Sequence, residues 1–154
     1  NIPLEKLEEY ASSLGADCRF FLRNQAVFAE GKGDEFSDIN LSLKGYYIVL
    51  VKPDIHISTA EAYAGVRPEK PTASLLQLIQ QPIETWKEHI FNGFEKGVFE
   101  KHPEIKQIKE ELYAQGAVYA SMSGSGSSVF GIFAQEVHLQ GLFEKYFYWA
   151  DFLQ

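Results

Sequence analysis

Cysteine is nearly absent from this sequence. The 154 residues contain one, Cys18, which excludes a disulfide within the chain and favours a reducing compartment such as the cytoplasm. With no partner cysteine, a thiolate metal site is also disfavoured. Basic residues are few: 14 Lys and Arg stand against 21 Asp and Glu, for a net charge of −7. That balance argues against general binding to nucleic acid or to an anionic membrane. It leaves open a local anion site built from backbone N–H groups. No apolar run approaches the ~20 residues of a membrane span, and no signal-peptide pattern is present. His56, His89, His102 and His138 are far apart, and no pair has metal-ligand spacing. There is no internal repeat and no long block of one charge. The first residue is Asn1 rather than Met, which points to a processed product or a piece of something longer.

The remaining composition suits a soluble domain with a sizeable core: 45% hydrophobic, 23% charged, 12 Phe and 8 Tyr. Leu4, Leu7, Tyr10, Ala11 and Leu14 follow helical spacing, with Gly15 placed as a C-terminal cap. Phe20-Phe21-Leu22 and Ala26-Val27-Phe28-Ala29 predict a hairpin, and residues 31–34 predict a turn. Residues 46–51 form the clearest strand, with burial expected on both faces. Ser58 or Thr59 caps a helix that ends at Gly65. Further helices are predicted over 72–80, 83–99 and 104–115, with Pro103 in the first turn of the last. Strands are expected at 117–122, 128–133 and 147–152, and a final helix at 137–146. From Tyr46 on, this order matches the split βαβ arrangement of ferredoxin-like α+β domains. Residues 1–44 lie outside it and read as the tail end of a preceding domain, leaving 45–154 as a domain of its own.

Three groups of residues carry candidate chemistry. Ser123-Gly124-Ser125-Gly126-Ser127 lets backbone N–H groups approach an anion without Cβ obstruction. The bland alternative is a flexible linker. No Gly-Lys-Ser/Thr follows, so this is not a Walker A loop, and it runs from strand to strand rather than strand to helix. Asp17 lies just past a helix end beside an apolar run, where its charge needs a cation or donors. Taken alone, its residue type and context read as a capping or turn aspartate. Thr59 and Tyr63 share one helical face, four residues apart. Tyr63 is either a core aromatic or a stacking surface beside a hydroxyl donor. Trp86 and Trp149 read as core or near-surface packing.

Taken in order, several segments resemble the GHMP small-molecule kinases. They are Leu14-Gly15-Ala16-Asp17 with Phe20-Phe21, residues 29–33, Val51-Lys52-Pro53, Ile57 to Tyr63, and Met122 to Gly131. The likeness is greatest to a member whose substrate carries a cytidine diphosphate end. The resemblance implies phosphoryl transfer from ATP, with Mg²⁺, to a hydroxyl of a small molecule, and no nucleic-acid or membrane partner. It implies Asp17 as the catalytic aspartate and Ser123 to Ser127 as the loop near the phosphates. It places Thr59 and Tyr63 at the cytidine end and Gly31 and Lys32 on a turn beside the substrate. The family's N-terminal lysine and long glycine-rich ATP loop have no counterpart among these residues, so the chain is expected to be the C-terminal part of such an enzyme and inactive alone. Cys18 and Arg19 stand where the family has valine and proline. Arg19 either adds a cation near the site or faces solvent. Homoserine- or mevalonate-type kinases, and a non-catalytic ferredoxin-like binding module, are the competing readings.

Overall fold

A computed structural model of the chain describes residues 2–15, 18–33, 35–66 and 73–154. The chain divides into two compact units, Asn1–Ser42 and Leu43–Gln154.

In the first unit, α1 (Leu4–Leu14) ends where the Gly15 N–H reaches back to the Ala11 carbonyl at 3.1 Å. The expected hairpin is displaced. Phe20-Phe21-Leu22 belong to a helix, α2 (Cys18–Arg23), and not to a strand. Asn24 closes it, donating its N–H to the Phe20 carbonyl at 2.8 Å with φ +47°. Asparagine tolerates that left-handed geometry because its short amide can bond locally. The hairpin is formed one step later by β1 (Val27–Glu30) and β2 (Glu35–Asp38), with Ala29 opposite Phe36. Arg19 neither faces open solvent nor stands free. Its guanidinium lies 5.5 Å from the Phe36 ring centroid and 3.8 Å from the Glu8 carboxylate. Leu14 is 82% exposed and Phe21 73%.

The second unit is built on a four-stranded antiparallel sheet. β3 (Tyr47–Lys52) is followed by α3 (Thr59–Ala64), α4 (Leu75–Leu78), a 3₁₀ turn (Ile83–Thr85) and α5 (Trp86–His89). Next come α6 (Glu95–Lys101), α7 (Pro103–Ala114), β4 (Tyr119–Met122), β5 (Val129–Phe133) and β6 (Phe147–Phe152). The spatial order is β4-β5-β3-β6. In chain order within the unit this is second, third, first, fourth, the ferredoxin-like arrangement of an α+β domain. Val49 sits opposite Gly131 on one side and Ala150 on the other.

Burial of β3 alternates. Tyr47, Val49 and Val51 are buried with Ile105, Ile108 and Leu112 of α7 in one core, whereas Ile48 and Leu50 are half-buried. One face is therefore fully covered and the other only in part, which corrects the expectation of two buried faces. Trp86 lies in the core with its ring edge-on to Tyr119 at 5.6 Å, while Trp149 is exposed.

Two predicted helices differ from what forms. Residues 83–99 do not make one helix, because α5 stops at His89 and α6 begins at Glu95. Residues 137–146 make an irregular strap with one 3₁₀ turn, Gln140–Leu142. Leu139 and Phe143 are both buried, so their four-residue spacing imitates a helix while each anchors the strap separately. Gly141 lowers helix propensity between them. The strap is tied down where Tyr146 Oη and Lys145 Nζ donate to Glu104 Oε1 at 2.7 and 3.3 Å. The Tyr146 hydrogen bond, then that of Lys145, holds the Glu104 carboxyl below its ordinary range.

Burial pushes the Tyr119 phenol up to about 12, with a smaller opposing contribution from Ser121. A raised acid constant means the folded chain holds this proton more tightly than the unfolded one. Its stabilisation is complete below about pH 10 and is lost as pH climbs towards the folded value. Denaturant unfolding at about pH 9 and about pH 11.5 is expected to show a fall in stability that Tyr119→Phe makes shallower. An unchanged slope in that variant would assign the alkaline loss to other groups.

Candidate functional site

The Ser/Gly tract leaves β4 and enters β5 as a tight loop. The Ser123 N–H donates to the Ser128 carbonyl at 2.8 Å, and the Gly126 N–H to the Ser123 carbonyl at 3.0 Å. Gly126 has φ +97°, and a Cβ there would meet Ile57 Cδ1 and Met122 Sδ at 3.0 Å. A side chain there would be strained by the backbone geometry and would crowd Ile57 and Met122. Ser127 is buried and donates its hydroxyl to the Ile55 carbonyl at 2.6 Å. Ser123 and Gly124 are exposed. These bonds exclude the flexible-linker reading, because a linker has no fixed shape to pay for in chain entropy.

Beneath the loop lies a polar cluster that the sequence did not single out. Asn92 Nδ2 donates to the Met122 carbonyl at 2.7 Å and to the Gly124 carbonyl at 2.8 Å. Its Oδ1 accepts from the Phe94 N–H at 2.9 Å. Glu95 is 7% exposed. Its Oε1 accepts from the Met122 N–H at 2.8 Å and from Ser121 Oγ at 3.2 Å, and its Oε2 from Lys109 Nζ at 2.6 Å. A buried carboxylate is tolerable only with such a cation and donors. Apart from the local bond between Asn92 and Phe94, the pairs are separated by 14 to 32 residues, so spacing alone could not connect them. The signal that was available is the dipeptide Asn92-Gly93, a turn signature inside a helical pattern.

α3 carries the second group. The Ser58 hydroxyl accepts from the Glu61 N–H at 3.1 Å as an N-cap, worth about 1 kcal/mol. Thr59 is exposed and Tyr63 is 63% exposed. Tyr63 is therefore no core residue. Its ring stands edge-on to Phe94 at 4.9 Å, and Phe94 follows Asn92 by two residues. A close approach fixes α3 against α6: a Cβ on Gly97 would come within 3.0 Å of Gly65 Cα and 3.1 Å of its carbonyl oxygen. Glu61 reinforces it, with His102 Nε2 at 3.3 Å and Lys101 Nζ at 3.6 Å. In the second unit, Tyr63, Phe94, Asn92 and the Ser/Gly loop are thus linked through consecutive contacts.

The remaining picks belong to the first unit. Gly31 and Lys32 sit on the exposed turn between β1 and β2. Asp17 lies outside the described residues, as does its neighbour Ala16. Two surface grooves, of about 580 and 370 Å³, are lined by residues of the 137–150 region and Tyr47, and include none of these groups. Among the described residues no cluster of three or more His, Cys, Asp or Glu could hold a metal. No described helix is long and apolar enough to cross a membrane.

Residues 74–147, which include α6, α7 and the whole Ser/Gly loop, match the family model described as GHMP kinases C terminal. Relatives named 4-diphosphocytidyl-2-C-methyl-D-erythritol kinase extend the match through most of the chain. The one from Bacteroides fragilis is 57% identical over 86% of this chain, and the one from Parabacteroides distasonis 52% identical over 94%. The chain belongs to the GHMP kinases. It spans about half the length of these relatives, 48% and 54%. Among solved structures, a 4-(cytidine 5'-diphospho)-2C-methyl-D-erythritol kinase matches 94% of this GHMP chain with a TM-score of 0.74 and 27% identity, over 55% of its own length. Homoserine kinase from Cytophaga hutchinsonii, at 13% identity and a TM-score of 0.53 over 99% of this chain and 59% of its own, shares the fold.

Proposed function

We propose that this chain is the C-terminal portion of a cytoplasmic kinase that phosphorylates the 2-hydroxyl of 4-diphosphocytidyl-2-C-methyl-D-erythritol with ATP in non-mevalonate isoprenoid biosynthesis. The observation that carries this reading is the 57% and 52% identity to relatives bearing that kinase name. Residues 1–44 are then a strip of the N-terminal catalytic domain, a role in keeping with the exposure of Leu14 and Phe21, apolar surface that a larger domain would cover. Residues 45–154 are the substrate domain.

Phosphoryl transfer asks a protein mainly to position its reactants and to meet developing charge. In this reading Asp17 orients the substrate hydroxyl or takes its proton. The rigid loop from Ser123 to Ser127 offers backbone donors near the phosphates. Tyr63 lays a flat face against cytosine, with Thr59 as a neighbouring hydroxyl and Gly31 and Lys32 beside the substrate. Mg²⁺ would supply charge neutralisation on the phosphates, and no described residue is assigned to it, since none of the described carboxylates forms a metal cluster.

The test is to express the full reading frame that contains this segment and follow ADP release with the cytidyl substrate, homoserine and mevalonate in parallel. Turnover of the cytidyl alcohol alone is expected, and none from the 154 residues by themselves. Preference for homoserine or mevalonate would overturn the substrate, and no turnover of any alcohol would favour a binding module. In the same enzyme Tyr63→Leu should weaken cytidyl-substrate binding by about 1–3 kcal/mol, the range for base–aromatic stacking. Melting temperature should fall only slightly, because the ring is largely exposed. Tyr63→Phe keeps the stacking face and should be nearly silent. An unchanged Michaelis constant in Tyr63→Leu would remove the ring from the site.

A further inference from the structure

The break between α5 and α6 is where local sequence preference and the structure part company. Ile90 turns extended at φ −113° and ψ 115°, and α6 does not resume until Glu95. Three successive ties bind the broken segment to β4 and its loop. Tyr119 Oη donates to the Ile90 carbonyl at 3.3 Å, Asn92 donates to Met122 and Gly124, and Glu95 accepts from the Met122 N–H. Breaks of local rules tend to mark functional or strained places, with a compensating gain elsewhere.

We infer that Asn92 is a positioning residue that sets the shape of the Ser123–Ser127 loop and the direction of its Ser125 N–H. A trans peptide is planar, with its C=O and N–H pointing oppositely. The Met122 carbonyl is turned towards Asn92, so the Ser123 N–H points away from it, where it meets the Ser128 carbonyl. By the same geometry, turning the Gly124 carbonyl to Asn92 sends the Ser125 N–H outward from the break. One amide group holds two carbonyls two residues apart, which closes the loop around Ser123. The Phe94 N–H locks Oδ1 and so decides which end of the amide faces the loop. Glu95 and Lys109 fix the strand end from which the loop departs. The role of the aimed N–H, meeting a phosphate oxygen, rests on the kinase reading above. The role of Asn92 in shaping the loop does not.

Two variants test it. Asn92→Asp is nearly isosteric but points a carboxylate oxygen at two carbonyls. Asn92→Ser is neutral, removes the double contact and guards against a failure to fold. In the 154-residue chain, both should speed amide exchange at Ser123 and Gly126 by about tenfold or more, while the Val49 and Val51 amides keep their rates. Exchange unchanged at Ser123 and Gly126, or accelerated equally at Val49 and Val51, overturns the inference. In the full-length enzyme, both should lower kcat by about tenfold or more, with KM for the alcohol within about twofold. A KM rise with kcat intact would overturn the positioning role in turnover. If the unmodified full-length protein phosphorylates no alcohol, the kinase reading fails, and the exchange rates alone still decide what Asn92 does.

Discussion

On the proposed kinase function, Asp17→Asn in the full-length protein is expected to lower kcat by about 10²–10⁴-fold, the contribution typical of a positioned acid or base. Asparagine keeps the shape of the side chain but neither accepts a proton nor carries a charge. Binding of the cytidyl substrate should change little, because in the proposed function Asp17 acts on the transferring hydroxyl and not on the base or phosphates. Rapid kinetics with separate determination of kcat and KM make the check. Near-normal turnover would return Asp17 to the turn or capping role that its residue type and context suit. A proportional loss of substrate affinity would instead make it a binding residue.

The largest expected effect on stability lies at Lys109. Its ammonium is 2.6 Å from Glu95, and both side chains are largely withdrawn from water. Lys109→Met leaves the carboxylate buried with only the Met122 N–H and the Ser121 hydroxyl to meet it. Breaking a buried pair from one side costs about 3–5 kcal/mol, and the partial exposure of Lys109 places this case near the lower end. For a domain of this size that is on the order of 10 °C in melting temperature. Adding Glu95→Gln to Lys109→Met removes the stranded charge and should recover much of the loss. Denaturant unfolding of the single and double variants measures both. A single variant as stable as the unmodified chain would mean that water reaches Glu95.

The difference between these two residues shows how unevenly the site could be read from the sequence. Asp17 was singled out by its neighbours in the chain, Leu14-Gly15-Ala16 before it and Phe20-Phe21 after it. Lys109 and Glu95 look like ordinary solvent-facing charges on helices, and nothing within a few residues marks them. Their meaning comes from a strand that begins at Tyr119. Asn92 is intermediate, since its Asn-Gly dipeptide signals a turn, but the apolar spacing around it continues the helical pattern from Ile83 to Phe99.

By itself the sequence determined the four strands of the second unit, the cap at Gly15 and a hydroxyl cap at Ser58 or Thr59, the tract of small residues between β4 and β5, and the kinship to the GHMP kinases. These depend on side-chain period, on glycine and hydroxyl groups at fixed positions, and on motifs contiguous in the chain. Only the tertiary structure decided that residues 83–99 break, that 137–146 form a strap, that Phe20 to Leu22 are helical and that Tyr63 lies open beside Phe94. In the first two of these, apolar spacing alone favours a helix. Partners more than ten residues away supply hydrogen bonds and burial that outweigh the modest helix propensity of a few residues, a few tenths of a kcal/mol each.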